Sequence, residues 1–551
     1  MSATAAIFYH PDMIESAEQP LAGRRTAGQS FIAGLIRHVE SDGLFAVANE
    51  PKHLEAFRDV VQAYGWRKGV RGALVHEPAK ILEAGVLQVP GPNLASFAWT
   101  RRRVAQDAYS ICGITHTVAT KRIMQGLLDT AVSPTESWDA VICTSRAVRS
   151  VLATELDAVL AYLAERYGAA RTPRLQLPVI PLGIDTSKFE RTPEARVKWR
   201  AELGLDDDAI AIMSMGRRTI SEKMHPGPLM IAAQLAAERT GRKVALWMVG
   251  WFGDKTTEAL HVEMAREMAP DVDIRFPDGK DEDLRFEIWS AADIFALPVD
   301  NIQETYGLAP VEAMAAGLPV VVSDWDGFRD TVVHGETGFR IPTRMSRPGS
   351  GIAIAERYED GRDSYHQYLV AVHQRTAIDV RDMADAFTTL IENPDRRAQM
   401  GAAGIARARH HYDWSAIIPQ YEALWADLTA RRTAETASAP RSARAPANPT
   451  AMDPFELYAG YPAQSLLADT RLSAPCELDS ERIDLMLRIT GGHAFRRLAA
   501  RSDELLAVHR AVRASEPLAF KDLITALGGH VARTEACVLW LLKFDLLRIV
   551  P

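Results

Sequence analysis

The stretch Asn301–Asp326 reads NIQETYGLAPVEAMAAGLPVVVSDWD. Pro310 suits a first helical position, Gly317 marks the end of that helix, and the apolar PVVVS that follows predicts a buried strand. A helix handed over to such a strand through a glycine is half of a parallel βαβ unit. At the front of the helix the amides of Tyr306, Gly307 and Leu308 lack intrahelical acceptors. With the helix dipole they offer a seat for phosphate oxygens. Glu304 stands in the loop before the helix and Glu312 in its first turn. Both carboxylates can accept hydrogen bonds from hydroxyls of one bound molecule, Glu304 near the phosphate end and Glu312 further along, which suits a sugar and a ribose. For Glu312 the alternative is an acidic first turn that complements the dipole.

Working outward, the same strand–helix alternation covers the first four hundred residues. Ala5–Tyr9, Leu44–Ala48, Ala73–Val75, Val86–Val89, Ser110–Ile114, Ala140–Thr144 and Val179–Leu182 read as strands, with a helical face over Ser30–Glu40. The pattern restarts with strands at Ala209–Met215, Val244–Val249, Val272–Phe276, Ile294–Leu297 and Pro319–Ser323, separated by helices at Pro226–Glu238, Thr256–Met268 and Asp281–Ala292. The fold class is α/β: two facing Rossmann-like, doubly wound parallel-sheet domains hinged near Ile184–Thr192. Ligands in such folds bind beyond the carboxyl ends of the strands, in the cleft.

A second charged cluster lies where one of those strands ends. Ser214–His225 reads SMGRRTISEKMH, with Arg217, Arg218 and Lys223 following Gly216. Basic side chains there face the cleft and can neutralise a diphosphate; a solvated loop is the alternative.

In chain order, PVIPLGIDTSKF (Pro178–Phe189), Gly216-Arg217 with Lys223 after five residues, Glu304 and Glu312 separated by seven, GLPVVVSD and HGETGF resemble the retaining family-4 glycosyltransferases of the GT-B fold. The resemblance covers roughly Ala5 to Leu428 and is strongest in the second domain. It implies a nucleotide-diphosphate sugar as donor, with Arg217 and Lys223 on the diphosphate and Glu304 on the transferred sugar. Glu312 would take the ribose hydroxyls, and Gly216 and the Tyr306–Leu308 amides would lie against the phosphates. In the first domain it implies a site role for His116, in SICGITHT, against the alternative of a satisfied core histidine. Asp139–Arg146 (DAVICTSR) looks like a family strand ending at Ser145. Gly28, read as preceding the first helix, would let backbone approach donor or acceptor. Two departures stand out: the family's doubled glycine is replaced by LAGRRTAGQS, where Gly23 and Gly28 compete, and its paired glycines and glutamate after the last strand by DWDGFRD.

The mechanism so implied is front-face attack with retention, needing no covalent nucleophile, metal or cofactor. Asp281–Asp283 (Asp-Glu-Asp) read as a helix cap instead of a metal site. The acceptor stays open: a glycan, small molecule, lipid or protein.

Composition agrees with this class. At about 150 residues per domain, 551 residues make three or four folding units. Hydrophobic residues at 47% exclude a chain disordered throughout, and Lys+Arg 63 against Asp+Glu 71 disfavours a dedicated nucleic-acid binder. Four separated cysteines argue against a disulfide scaffold, and no secretory signal or spanning segment is visible, so a cytoplasmic location is expected. The divisions are residues 1–187 (acceptor side), 188–411 (donor side), 412–430 (a return helix onto the first domain), 431–452 (an Ala/Pro/Ser/Thr/Arg-rich linker) and 453–551. Within the donor side, Thr343–Ala377 reads as an insertion. Arg101–Arg103 read as a solvated helix face, with an anion-attracting patch as the alternative.

Residues 453–551 resemble a winged-helix module: a helix over Phe520–Gly528, a second over Thr534–Phe544, then the strand LLRIVP. The apolar content of the second helix favours protein contact, with the acceptor or a second subunit, over nucleic acid. Arg496, Arg497, Arg501, Arg510 and Arg513 keep a nucleic-acid reading open. The alternative function is a regulatory binding protein on a glycosyltransferase scaffold.

Overall fold

The computed structural model describes residues 5–13, 23–169, 174–438, 440–442, 445–495 and 500–551. The chain divides into two compact units, Met1–Pro449 and Thr450–Pro551.

The first unit holds two six-stranded sheets. One contains β1 (Ala6–Phe8), β2 (Gly43–Ala48), β3 (Gly69–Leu74), β4 (Val86–Gln88), β5 (Ser110–Ile114) and β6 (Ala140–Ile142), in the order β3-β2-β1-β4-β5-β6. The other contains β7 (Ile210–Met215), β8 (Val244–Val249), β9 (Asp273–Arg275), β10 (Ile294–Leu297), β11 (Val320–Ser323) and β12 (Gly338–Ile341), in the order β12-β11-β10-β7-β8-β9. All their pairings are parallel. Each has the doubly wound order with its crevice where the strand order reverses, beside β1 and beside β7. Strands such as Val244–Val249 and Val320–Ser323 are buried along their whole length because helices cover both faces.

The two chain crossings between these domains meet at one point. Ile184 N donates to Tyr412 O at 2.8 Å, and Trp414 N donates to Ile184 O at 3.1 Å. The helix Trp414–Ala434 then returns to the first domain. Trp414, Ile417, Ile418, Tyr421, Trp425 and Leu428 recur at helical spacing and enter its core. The Trp414 ring leaves no room for side chains on Gly34 and Gly183, where a Cβ would come within 2.3 and 2.5 Å of it.

Several expectations are corrected. Gly28 does not precede the first helix but lies inside it, because Gly23–His38 is helical throughout. The glycine still serves a close approach, since a Cβ would stand 2.5 Å from the Met13 carbonyl oxygen. Val179–Leu182 is no strand: only Val179 bridges Cys143. Pro310 occupies the third position of the helix Leu308–Ala315, not its first, with Glu312 fifth. Arg101 is fully buried, clamped on Asp139 at 2.6 and 2.9 Å and on the Tyr109 and Pro134 carbonyls. It is a core ion pair, not a surface patch.

Among the described residues of 435–449 there is no helix or strand, yet they are tied to the first domain. Ser438 donates to Glu136 through both backbone and hydroxyl, and Arg102 donates to Ala447 O. Over the segment read as an insertion, β13 (Thr343–Met345) pairs antiparallel with β14 (Thr376–Ile378), enclosing helices Ile352–Glu359 and Tyr365–His373.

In the second unit, β15 (Arg471–Ser473) lies between β16 (Leu518–Ala519) and β17 (Arg548–Val550), with helices Ser480–Phe495, Ser502–Ala514, Phe520–Ala526 and Val531–Lys543. Of the apolar residues of the second helix read as favouring protein contact, Val538 and Leu541 point into the unit's own core beside Cys537, and Leu539 is exposed. Arg533 pairs with Glu504. Arg496 and Arg497 lie outside the described residues. No helix among the described residues is long and apolar enough to cross a membrane.

Candidate functional site

At the end of β7 the chain turns through Gly216, at φ 153°. A Cβ on Gly250, at the end of β8, would stand 1.9 Å from the Gly216 carbonyl oxygen. The two strand ends therefore approach backbone to backbone, and the loop beyond Gly216 is aimed into the crevice. Of the two arginines that follow, only one is available to a ligand. Arg218 is buried, donates to the Met248 and Pro277 carbonyls, and lies 4.1 Å over the Phe252 ring. Burial lowers its pKa to about 10, Asp278 and Glu258 opposing the shift. Arg217 is 38% exposed and paired with Glu222.

Lys223 crosses from this loop to the next. Its Nζ donates to Glu304 Oε2 at 2.6 Å, with both side chains mostly buried. Burial pushes the Glu304 carboxyl up, but the Lys223 ammonium and the Thr305 and Tyr306 amides outweigh it, so the group is held below the ordinary glutamate range. The buried Asn301 joins the same two loops: its Nδ2 donates to Ser221 O at 2.7 Å, and its Oδ1 accepts from Gln303 N at 3.0 Å.

Gly307, at φ 80°, opens the helix Leu308–Ala315, and a Cβ there would lie 2.1 Å from the Phe328 ring. No other residue combines that backbone with that clearance. The first-turn amides of the helix thus start beside Glu304 with no intrahelical acceptor. Tyr306 does more than supply an amide: its side chain is buried and donates to Leu182 O at 2.9 Å.

Glu312 faces a cavity of about 240 Å³, together with Arg285, Phe286, Leu308, Asp185 and Lys188. Burial raises its pKa to about 7, against the pull of Arg285 and Lys223. Lys223 therefore acts on both glutamates of the motif. His116 and Gly28 line a separate cavity of about 400 Å³ in the first domain, with Phe8, Phe31, Arg122 and Trp414. His116 Nε2 lies 3.0 Å from Pro90 O, so the ring is held by backbone. Gly216, Arg217, Lys223, Glu304 and Tyr306–Leu308 thus form one cluster and Glu312 a neighbouring wall, while His116 and Gly28 belong to the first-domain cavity. The Asp281 cap is present: its Oδ1 accepts from Leu284 N at 3.1 Å. Among the described residues no cluster of three or more His, Cys, Asp or Glu could hold a metal ion.

Sequence reading gave no role to Glu222, Asn301 or Asp326. Asp326 is a non-glycine residue at φ 38°, and its Oδ1 accepts from Ser145 Oγ of the first domain at 2.9 Å. Burial, then the nearby Glu304 charge, raise its pKa to about 8. The only hint in the sequence is the departure at DWDGFRD.

Residues 195–368 match the family model described as Glycosyl transferases group 1. A D-inositol 3-phosphate glycosyltransferase of Nocardia farcinica is 28% identical over 272 residues, covering 48% of this chain and 50% of that protein. A GDP-mannose-dependent alpha-(1-6)-phosphatidylinositol monomannoside mannosyltransferase of Mycolicibacterium smegmatis is 27% identical over 262 residues, 46% and 57% of the two chains. The chain thus spans about half the length of these relatives. The crystal structure of Anabaena Alr3699/HepE in complex with UDP superposes with a TM-score of 0.50 at 16% identity, covering 77% of this chain and all of that one. The fold is GT-B, and the family match falls within the second of its two sheet domains.

Proposed function

We propose that the protein is a retaining, metal-independent hexosyltransferase of the family-4 type, using a nucleotide-diphosphate sugar as donor. The observation that carries this reading is the Lys223–Glu304 pair, 2.6 Å apart and directly before the glycine-opened helix at Gly307. It sets a cation, a carboxylate and unpaired amides around one point of the cleft.

In the proposed reaction the bond between the anomeric carbon and the β-phosphate oxygen breaks. The acceptor oxygen bonds to that carbon from the same face, and its proton passes to the departing phosphate oxygen. Arg217, Lys223 and the Gly307–Leu308 amides stabilise charge as it accumulates on the diphosphate, which is where fixed donors contribute most. Glu304 orients the sugar hydroxyls. Glu312 accepts from the ribose, and His116 reaches the donor sugar from the acceptor side, whose cavity would hold the acceptor.

The names of the relatives support a cyclitol or phosphoinositide as the kind of acceptor to test first. Residues 453–551 would dock the acceptor or a second subunit. Their own core, with paired helices followed by β17, supports the winged-helix comparison. A cytoplasmic setting goes with this reading and with the four free cysteines.

The test is release of nucleotide from a panel of UDP- and GDP-sugars by the wild type and by Glu304→Ala. Turnover by the wild type and at least a hundredfold loss in the variant are expected, by the scale of a lost transition-state contact of about 3 kcal/mol. If the wild type neither binds nor turns over any donor, the reading is refuted. Removal of residues 450–551 tests the second unit: unchanged transfer to the true acceptor would refute a docking role.

A further inference from the structure

The arm between β13 and β14 touches the two donor loops at three places. His366 Nε2 meets Glu222 Oε1, Tyr365 Oη donates to Gln303 Oε1 at 3.2 Å, and His373 Nδ1 lies 3.8 Å from Asp300 Oδ2. Asp300 in turn accepts from His225 N at 3.2 Å. The start of the helix Tyr365–His373 is fixed by a capping box. Ser364 Oγ accepts from Gln367 N at 3.3 Å, and Gln367 Oε1 accepts from Ser364 N at 2.8 Å. Tyr365 and His366, the next two residues, are thereby held in place. The other end of the arm is anchored on the first domain, where Lys121 N donates to Tyr358 Oη at 2.9 Å. The Tyr358 and Tyr368 rings stack at 4.4 Å, joining its two helices.

Glu222 is shared. One carboxylate oxygen holds Arg217 and the other meets the His366 imidazole. We infer that His366 is a positioning residue for the donor site: it holds Glu222 when a diphosphate takes Arg217 away from it. This rests on the reading of Arg217 as a diphosphate ligand.

A bound diphosphate and the Glu222 carboxylate are both anions seeking the same guanidinium. Glu222 is only 17% exposed, so once displaced it cannot rely on water alone. An imidazole N–H already seated on its second oxygen supplies the remaining partner. Burial raises the Glu222 pKa, but Arg217 and His366 outweigh it, so the group stays ionised and remains a competitor. Without His366, the carboxylate stays on Arg217 and opposes the ligand. Without the Glu222 charge, there is no competitor for His366 to hold.

The experiment is titration calorimetry of UDP and GDP on the full chain, using the nucleotide that the wild type binds. The variants are His366→Ala, His366→Gln, Glu222→Gln and Glu222→Gln/His366→Ala. His366→Ala should weaken binding about threefold, the range of a partly exposed ion pair, and His366→Gln, which keeps an N–H donor, should restore it. Glu222→Gln should tighten binding about threefold or more, and adding His366→Ala to it should change nothing further. In turnover, His366→Ala should raise the donor KM and leave kcat within about twofold. Equal weakening by Ala and Gln at 366, or a His366→Ala effect that persists beside Glu222→Gln, overturns the inference while leaving the donor site intact. If the wild type binds neither nucleotide, the reading of Arg217 fails and the inference with it.

Discussion

Asp326→Asn removes one charge and little else. The residue sits at φ 38°, a conformation asparagine adopts about as readily as aspartate, so the backbone is unaffected. Asparagine Oδ1 can still accept from Ser145 Oγ. What disappears is the cost of ionising a carboxyl that burial and the Glu304 charge have moved from 3.8 to about 8. At about 1.4 kcal/mol for each tenfold change in acidity, the ionised form is disfavoured by about 6 kcal/mol at the limit. Local relaxation and water entry reduce this to about 2–3 kcal/mol.

The sign follows from linkage. Between about pH 4 and pH 8 the unfolded chain has released this proton and the native chain has kept it, so native stability falls as pH rises through that window. Asparagine removes that slope. Thermal scans of the full chain should show the variant close to the wild type at pH 5 and about 5 °C higher at pH 8.5, given about 2–4 °C per kcal/mol for a domain of this size. A difference that stays constant from pH 5 to 8.5, or a variant less stable than the wild type at pH 8.5, would refute the reasoning.

Glu312→Gln should change how nucleotide binding depends on pH. The carboxyl, raised to about 7, is a full acceptor only above that pH, so wild-type affinity should climb from pH 6 to 8 relative to the glutamine variant, as read by calorimetry. Gly307→Ala must place a Cβ 2.1 Å from the Phe328 ring at φ 80°, so nucleotide binding should be lost and the melting temperature should fall, the backbone strain alone costing about 1–2 kcal/mol. Asp139→Asn leaves Arg101 charged and fully buried, and should destabilise the first domain by about 3–5 kcal/mol in denaturant melts while the folded fraction keeps its nucleotide affinity.

The sheets were legible because a strand covered on both faces must be apolar along its length, as Val244–Val249 and Val320–Ser323 are. Val179–Leu182 is as apolar, but Pro181 has no N–H to donate to a ladder, and only one bridge forms. At the site, the spacing of Gly216, Lys223, Glu304 and Gly307 marks strand ends and a helix start, and those are local. Which of two adjacent arginines faces the cleft is not local. Arg218 turns inward because Phe252 and Phe276, from later segments, offer their rings. The Gly28 helix likewise begins early because GRRTAGQS continues the helical run, a boundary that composition blurs. The raised pKa of Asp326 is set by burial and by the distant Glu304 charge, against the pull of the Ser145 hydroxyl, so no reading of DWDGFRD could reach it.

These contacts bear on how the cleft can close. The donor loop rests on the first domain from below: Tyr306 Oη donates to Leu182 O at 2.9 Å, Ser145 Oγ to Asp326 at 2.9 Å, and Arg146 N and Nε to Asp330 at 2.7 and 2.6 Å. At the mouth, Tyr358 of the arm accepts from Lys121. A free swing of either domain about the crossing at Ile184 would break one set of contacts or the other. Tyr306 directly precedes the helix start at Gly307, and Asp326 and Asp330 flank Phe328, whose ring lies against Gly307, so motion there changes the geometry of the helix start itself. Closure that preserves that helix start would therefore pivot at the base and exchange partners at the mouth, where Lys121 and His366 are exposed. Under the proposed function, the arm between β13 and β14 links Lys121 of the first domain to the Glu222 and Gln303 loops beside the diphosphate site.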